Sequence, residues 1–160
     1  MSYEVLLTLH IGSVILLLGV GGGSAFYKFM ADRSNNLEVI LHTNKIVVLV
    51  DWLFTTPSVI IQPITGIMLA NLMNIPLTTP WLLISIVLYL VAIILWIMAV
   101  YLQIKMKEMA IKAKKEKSDL GSSYSRFVRT WIILGIFSFF AMLGIFILMI
   151  VKDTIEIRYV

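Results

Sequence analysis

Residues 38–73 read EVILHTNKIVVLVDWLFTTPSVIIQPITGIMLANLM, and this stretch decides the fold. It stays apolar well beyond the roughly 20 helical residues that cross a hydrocarbon core of about 30 Å. It also carries Pro57 and Pro63. Each proline lacks a backbone donor and presses on the carbonyl four residues earlier, which kinks a helix. Membrane helices tolerate such kinks where neighbouring groups re-satisfy the freed carbonyls. One long bent helix is therefore expected. The other reading is a span from Leu41 to Ile61 followed by a short interfacial helix. Asn74-Ile75-Pro76 and Thr78-Thr79-Pro80 mark a tight turn, with Pro80 opening the next helix.

Three further runs are long enough to span: about 5–29, 81–101 and 127–151. The whole 160-residue chain then reads as one transmembrane domain, an all-α four-helix bundle whose second helix is long and Pro-kinked. Composition agrees. Hydrophobic residues make up 60% and charged residues 14%, too few charges to cover a water-facing surface. Soluble enzymes, disordered tails and nucleic-acid modules are excluded, and the bilayer is the expected partner. There is no Cys, which removes disulfides, Cys-ligated zinc and iron–sulfur clusters. The first run is expected to be retained as a span, because Glu4 precedes it and no Lys or Arg does, unlike a signal peptide.

At 100° per residue, Asn44, Asp51, Thr55, Ser58, Gln62 and Thr65 fall on one stripe of the second span. Unpaired polar groups facing lipid are costly, so the stripe is expected to face the bundle interior. In the first span His10, Ser13, Gly21, Ser24 and Lys28 share a face, and in the third Ser85, Tyr89, Ala92, Trp96, Ala99 and Gln103 align. In the fourth, Gly135, Ser138, Met142 and Met149 roughly align. Gly19-x-x-x-Gly23 suits close helix contact, expected within the bundle, with homodimerisation as the other use.

Asp51 lies near mid-membrane, where a carboxylate costs at least about 2.5–3.5 kcal/mol on insertion scales. It reads either as a proton-relay or ligand-binding acid, or as a structural group bonded to Tyr89 or Ser138. His10 is expected level with Gln62 and Pro63, as a metal or haem ligand or as an interfacial His bonded to a carbonyl or water. His42 lies at the other end of the bundle, so the two His cannot share one haem iron. A second axial ligand would come from Met149, Met68 or water.

Leu9-His10-Ile11, Gly19–Gly23, Ala31-Asp32-Arg33-Ser34, Asp51 through Pro57, Thr65-Gly66 and Thr78-Thr79-Pro80-Trp81-Leu82 resemble a small bacterial family of integral membrane proteins of unknown function. The resemblance covers about residues 5–106, and the last helix follows the same plan. That family is similar to the copper-resistance D membrane domain and to HemJ-type protoporphyrinogen oxidase. The likeness implies b-type haem held by a first-helix His, a position that His10 matches. HemJ proteins carry a Lys in the third helix after a Trp-Leu pair; here Ser85 stands at that position after Trp81-Leu82, so protoporphyrinogen oxidation is not implied. The Met residues form no Met-x-Met cluster suited to copper.

Two classes of function stay open. One is a haem-dependent membrane oxidoreductase with haem b on His10, its cavity lined by Asp51, Thr55, Ser58, Gln62 and Ser85. The other is a non-enzymatic bundle carrying a proton or small solute, or serving as an accessory subunit, through the Asp51 stripe. Because four helices from one chain are expected to enclose little space, transport would call for a homodimer.

Charge sets the expected orientation in a bacterial inner membrane. Eleven Lys and Arg flank the first and third loops, and only Lys152 and Arg158 lie on the other side. Short-loop Lys and Arg stay cytoplasmic, so both termini and His10 are expected outside, and the basic 103–126 segment inside. A Cys introduced at Ser118 should resist an impermeant thiol reagent in intact cells, whereas one at Ser2 should react. Labelling at Ser118 with protection at Ser2 inverts the topology.

Overall fold

A computed structural model describes residues 2–156, with side chains placed through Lys152; Arg158 lies outside the described residues. The fold is all-α, and four helical spans cross a membrane by length and composition. Helix α1 covers Tyr3–Arg33, α2 Leu37–Val50, α3 Thr56–Leu72, α4 Pro80–Glu116 and α5 Ser122–Glu156. The first, third and fourth spans are longer than expected, because their helices continue beyond the apolar runs; the second, at 36 residues, matches the expected length. The basic 103–126 segment is mostly helix; only residues 117–121 break it.

The connections follow local chemistry. Asn35 adopts a left-handed conformation (φ 51°), and the Asn36 side-chain oxygen accepts from the backbone N–H of Glu38 (3.0 Å) and Val39 (3.4 Å) to cap α2. Asn74 (φ 56°) turns the chain between α3 and α4, and Pro80 occupies the first turn of α4, where its missing N–H costs nothing. Lys117 (φ 50°) ends α4.

The second span is one continuous helix, Leu37–Leu72, joined through a π-helical turn at Asp51–Thr55. The two prolines explain its irregularities. Pro57 cannot donate to the Leu53 carbonyl and its ring crowds that carbonyl. The turn just before it widens instead, so that the Thr56 N–H bonds Asp51 O. The Thr56 hydroxyl donates to the same carbonyl at 2.9 Å. Pro63 deprives the Val59 carbonyl of its donor, and the Tyr89 hydroxyl of α4 donates to that oxygen at 2.5 Å. A neighbouring helix thus replaces the missing backbone bond.

The long α4–α5 pair packs most closely; α1 lies along α3, and α2 touches both α1 and α4. Contact between α1 and α5 is sparse. The main apolar core sits toward the basic end and includes Leu41, Met106, Tyr124, Trp131 and Leu134; Ala70, Trp81 and Leu82 form a smaller cluster at the opposite end. Only 11% of the most apolar window of α1, and the same share of α5, is buried, against 33% for the second span. That much outward apolar surface needs lipid, and the second span is the interior helix.

Lys28 is buried to 1% exposure at the basic end. Its ammonium donates to Asp32 (2.9 and 3.2 Å) and Asn44 Oδ1 (2.8 Å), and lies over the rings of Tyr124 and Trp131. The Tyr124 hydroxyl donates to Asp32 Oδ1 at 2.7 Å and accepts from Asn44 Nδ2 at 3.1 Å. This cluster ties α1, α2 and α5 together. The expected close packing at Gly19-x-x-x-Gly23 is not found within the bundle: a Cβ at Gly19 or Gly23 would meet no heavy atom within 4 Å.

The Tyr89–Val59 bond yields a double-mutant test. Tyr89→Phe strands a carbonyl and should cost about 1–3 kcal/mol. Pro63→Ala restores the N–H, so the Tyr89→Phe cost should shrink to a fraction of that in the Pro63→Ala background. Denaturation in mixed micelles measures both. Equal costs in the two backgrounds would show that Tyr89 does not serve that carbonyl.

Candidate functional site

All six residues of the expected polar stripe are buried: Asn44, Asp51, Thr55, Ser58, Gln62 and Thr65. They do not, however, line one cavity beside His10. Asp51 and Gln62 are eleven residues apart, about 16 Å along a helix. The stripe therefore divides among three levels. Asn44 joins the Lys28 cluster, Asp51 and Thr55 line a central cavity, and Gln62 and Thr65 hold His10. Ser58 lies among the lining residues of neither cavity described below, and neither does Ser85, whose hydroxyl donates to the Trp81 carbonyl at 2.8 Å. The Ser85 hydroxyl proton is thus engaged within its own helix.

At the end of the bundle opposite the basic segment, His10 is level with Gln62, as expected. The Ser13 hydroxyl is shared between the His10 carbonyl (2.8 Å) and Gln62 Oε1. That orients Gln62 so that its amide N–H donates to His10 Nε2 at 3.1 Å. The imidazole proton then sits on Nδ1 and is donated to Thr65 Oγ1 at 3.0 Å. The Thr65 hydroxyl passes its own proton to the Ile61 carbonyl at 2.8 Å. Gly66 leaves room for the ring, since a Cβ there would lie 3.1 Å from His10 Cε1. The ring therefore has a defined tautomer with both nitrogens engaged.

His10, Gln62 and Gly66 lie on the wall of an outer cavity of about 320 Å³. Met149 and Lys152 line it too, whereas Met68 is 39% exposed and does not. Of the two methionines considered as axial partners of His10, only Met149 shares its cavity. His42 is exposed and far along the second span, at the basic end. Among the described residues, no group of three or more His, Asp or Glu is arranged to hold a metal ion.

The central cavity has a volume of about 420 Å³ and is a cleft partly open between the helices. Asp51 Oδ1 accepts from the Thr55 hydroxyl at 2.9 Å, an i,i+4 bond across the π turn. The structural alternatives are corrected: Tyr89 serves Val59, and the Ser138 hydroxyl donates to the Ala92 carbonyl at 3.3 Å. Asp51 Oδ2 makes no close hydrogen bond, although the Gln103 side chain lies beside the carboxylate. Neither do Gln103 Oε1, Trp96 Nε1 and Trp131 Nε1, and all four residues line this same cavity. Tyr89 and Met142 line both cavities and stand between them. Trp96 and Gln103 lie on the inward face expected for α4, while Trp131 was not marked by any polar periodicity in so apolar a helix.

The imidazole assignment is directly testable. Nitrogen NMR of histidine-labelled protein should show a neutral His10 protonated at Nδ1. Thr65→Val removes the acceptor and should shift His10 toward the Nε2–H form or a mixture of tautomers. An unchanged spectrum in Thr65→Val would show that the Thr65 bond does not set the tautomer.

Comparison with known proteins adds the family. No curated protein and no solved structure matches the chain. The model of the DUF2269 family matches residues 4–153, and the chain belongs to this family of predicted integral membrane proteins.

Proposed function

We propose that this protein handles a proton or a small solute within the inner membrane, with Asp51 as its working group and its basic end toward the cytoplasm. One observation carries the reading: the carboxyl group of Asp51, buried to 5% exposure in a membrane span, belongs to a residue that lines the central cavity and has one oxygen without a close hydrogen bond. A purely structural acid would have both oxygens satisfied, because stranding one in a low-dielectric interior is costly. Intramembrane acids that persist despite this cost usually serve ion or substrate pathways. His10, Asp51 and the Lys28–Asp32 pair place ionisable groups at successive levels of the bundle, with Tyr89 between the first two.

Proteoliposomes carrying an internal pH dye test the transport form of the proposal. Wild-type protein should raise proton flux over empty vesicles, and Asp51→Asn should reduce the protein-dependent flux at least about tenfold, in keeping with loss of a relay group. Flux unchanged in Asp51→Asn would reject it.

A second reading, haem b on His10, is favoured by the ring's tautomer and by Met149 in the same cavity. A ligating His commonly donates its other N–H to a nearby acceptor, the part Thr65 would play. The fit requires one rearrangement, because Gln62 holds the Nε2 lone pair. Haem would supply one-electron chemistry; His10 would hold it and Lys152 at the cavity wall would offer a positive charge. Protein purified from haem-replete cells should then show a Soret band that His10→Ala removes and His42→Ala does not. A colourless preparation that takes up no haem on reconstitution would overturn this reading.

A further inference from the structure

We infer that Lys45 and Lys107 form a binding site for the phosphate of an anionic phospholipid, on the seam between α2 and α4 at the edge of the bilayer. The inference is independent of the role given to Asp51.

Two contacts fix how α2 and the antiparallel α4 line up. Near the basic end the Lys114 ammonium donates to Glu38 Oε2 at 2.7 Å, across the exposed side of the seam. Further into the bundle the Gln103 side chain lies beside Asp51. Lys45 and Lys107 fall between these contacts, seven residues from Glu38 and from Lys114 respectively. Seven residues are two helical turns to within about 20°, so each lysine returns to the face that carries the Glu38–Lys114 pair. The two lysines therefore stand opposite each other across the seam, Lys45 exposed and Lys107 half-buried. The nearby acids are engaged elsewhere: Glu38 with Lys114, and Glu108 with Lys105 at 3.0 Å. Among the described residues, no acid pairs with Lys45 or Lys107. Two facing cations repel, and an anion between them relieves the repulsion.

The depth of the pair selects the anion. From Trp81 to Leu102, α4 has no Asp, Glu, Lys or Arg. A hydrocarbon core of about 30 Å that begins at Trp81 ends near Tyr101, at 1.5 Å per residue. Tyr101 and Trp52 are each 59% exposed beside the Asp51–Gln103 level, and aromatic side chains favour the membrane interface. Lys45 and Lys107 lie about 9–10 Å beyond these two residues, where long lysine side chains reach the headgroups. On the membrane side of the lysines, the same two faces continue with Leu49 and Trp52 on α2 and with Ile104 and Val100 on α4. A cationic pair thus sits at the end of an apolar strip. A soluble anion would use the pair and leave the strip bare. A zwitterionic lipid would use the strip, but its phosphate already has a cation of its own. An anionic phospholipid uses both.

Native mass spectrometry of the purified protein in neutral detergent, titrated with phosphatidylglycerol or with phosphatidylcholine of the same acyl chains, tests the site. Wild type should bind the first phosphatidylglycerol at least about tenfold more tightly than phosphatidylcholine. Lys45→Gln and Lys107→Gln should each weaken phosphatidylglycerol binding about fivefold, the scale expected for one lysine near an anionic headgroup, and together should abolish the preference. Lys115→Gln/Lys117→Gln removes the same charge further from the membrane, and should stay within about twofold of wild type, since electrostatic attraction fades within a Debye length. Unchanged phosphatidylcholine binding in every variant shows that the bundle is intact. Equal weakening by the two double variants would show diffuse charge without a site and overturn the inference. So would equal affinity of wild type for the two lipids. Displacement of the lipid by glycerol phosphate at matching concentration would show a site for a free phosphate, and would overturn the assignment to lipid.

Discussion

The hydrocarbon interior of a bilayer offers no hydrogen-bonding partner, and the arrangement of this bundle follows from that. Any polar group within a span must be bonded inside the protein or line a space that holds a polar guest. The second span carries most of the polar residues, has the lowest mean hydropathy of the four at 1.5, and is the most buried. Its prolines sharpen the same demand. The carbonyl orphaned by Pro63 is met by a tyrosine from α4, and the strain ahead of Pro57 is absorbed by the π turn. The irregular turns around the two prolines are thus held by identifiable bonds.

The π turn also sets the chemistry. A wide turn places Asp51 and Thr55 on the same inner face and lets Thr55 hold one carboxylate oxygen, while the other is buried without a close hydrogen bond, beside the Gln103 side chain. π turns are uncommon and tend to occur at functional sites. Proline 57, which makes the turn necessary, is in this sense part of the site although it touches nothing in it.

The buried charges at the basic end follow a different logic from Asp51. Lys28, Asp32, Asn44 and Tyr124 satisfy one another completely, with two aromatic rings around the ammonium. Breaking such a pair typically costs about 3–5 kcal/mol, because the partner is left uncompensated. That closed cluster fastens three helices. The His10 network is similarly closed, through Ser13, Gln62 and Thr65. Only the central level is left with unbonded polar atoms among the described side chains, and it is there that chemistry has room to occur.

Span number, the single continuous second helix and the inward polar stripe were legible in the sequence, because hydrophobic run length and 3.6-residue periodicity are local properties that the bilayer enforces one helix at a time. So was the level of His10 with Gln62, which follows from antiparallel spans of similar rise. Three matters depended on tertiary structure. Lys28 falls in sequence on the polar face of the first span as well as among the charges flanking the first loop, and only the approach of α2 and α5 makes its burial tolerable. The stripe reads as one site, and only its depth across the bundle divides it among three levels. Trp131 carries no signal in an apolar helix; it becomes notable when α5 brings its unbonded indole to the same space as Asp51 and Gln103. Periodicity says which way a side chain points, but whether it finds a partner there is decided by the other helices, whose packing no single stretch of sequence specifies.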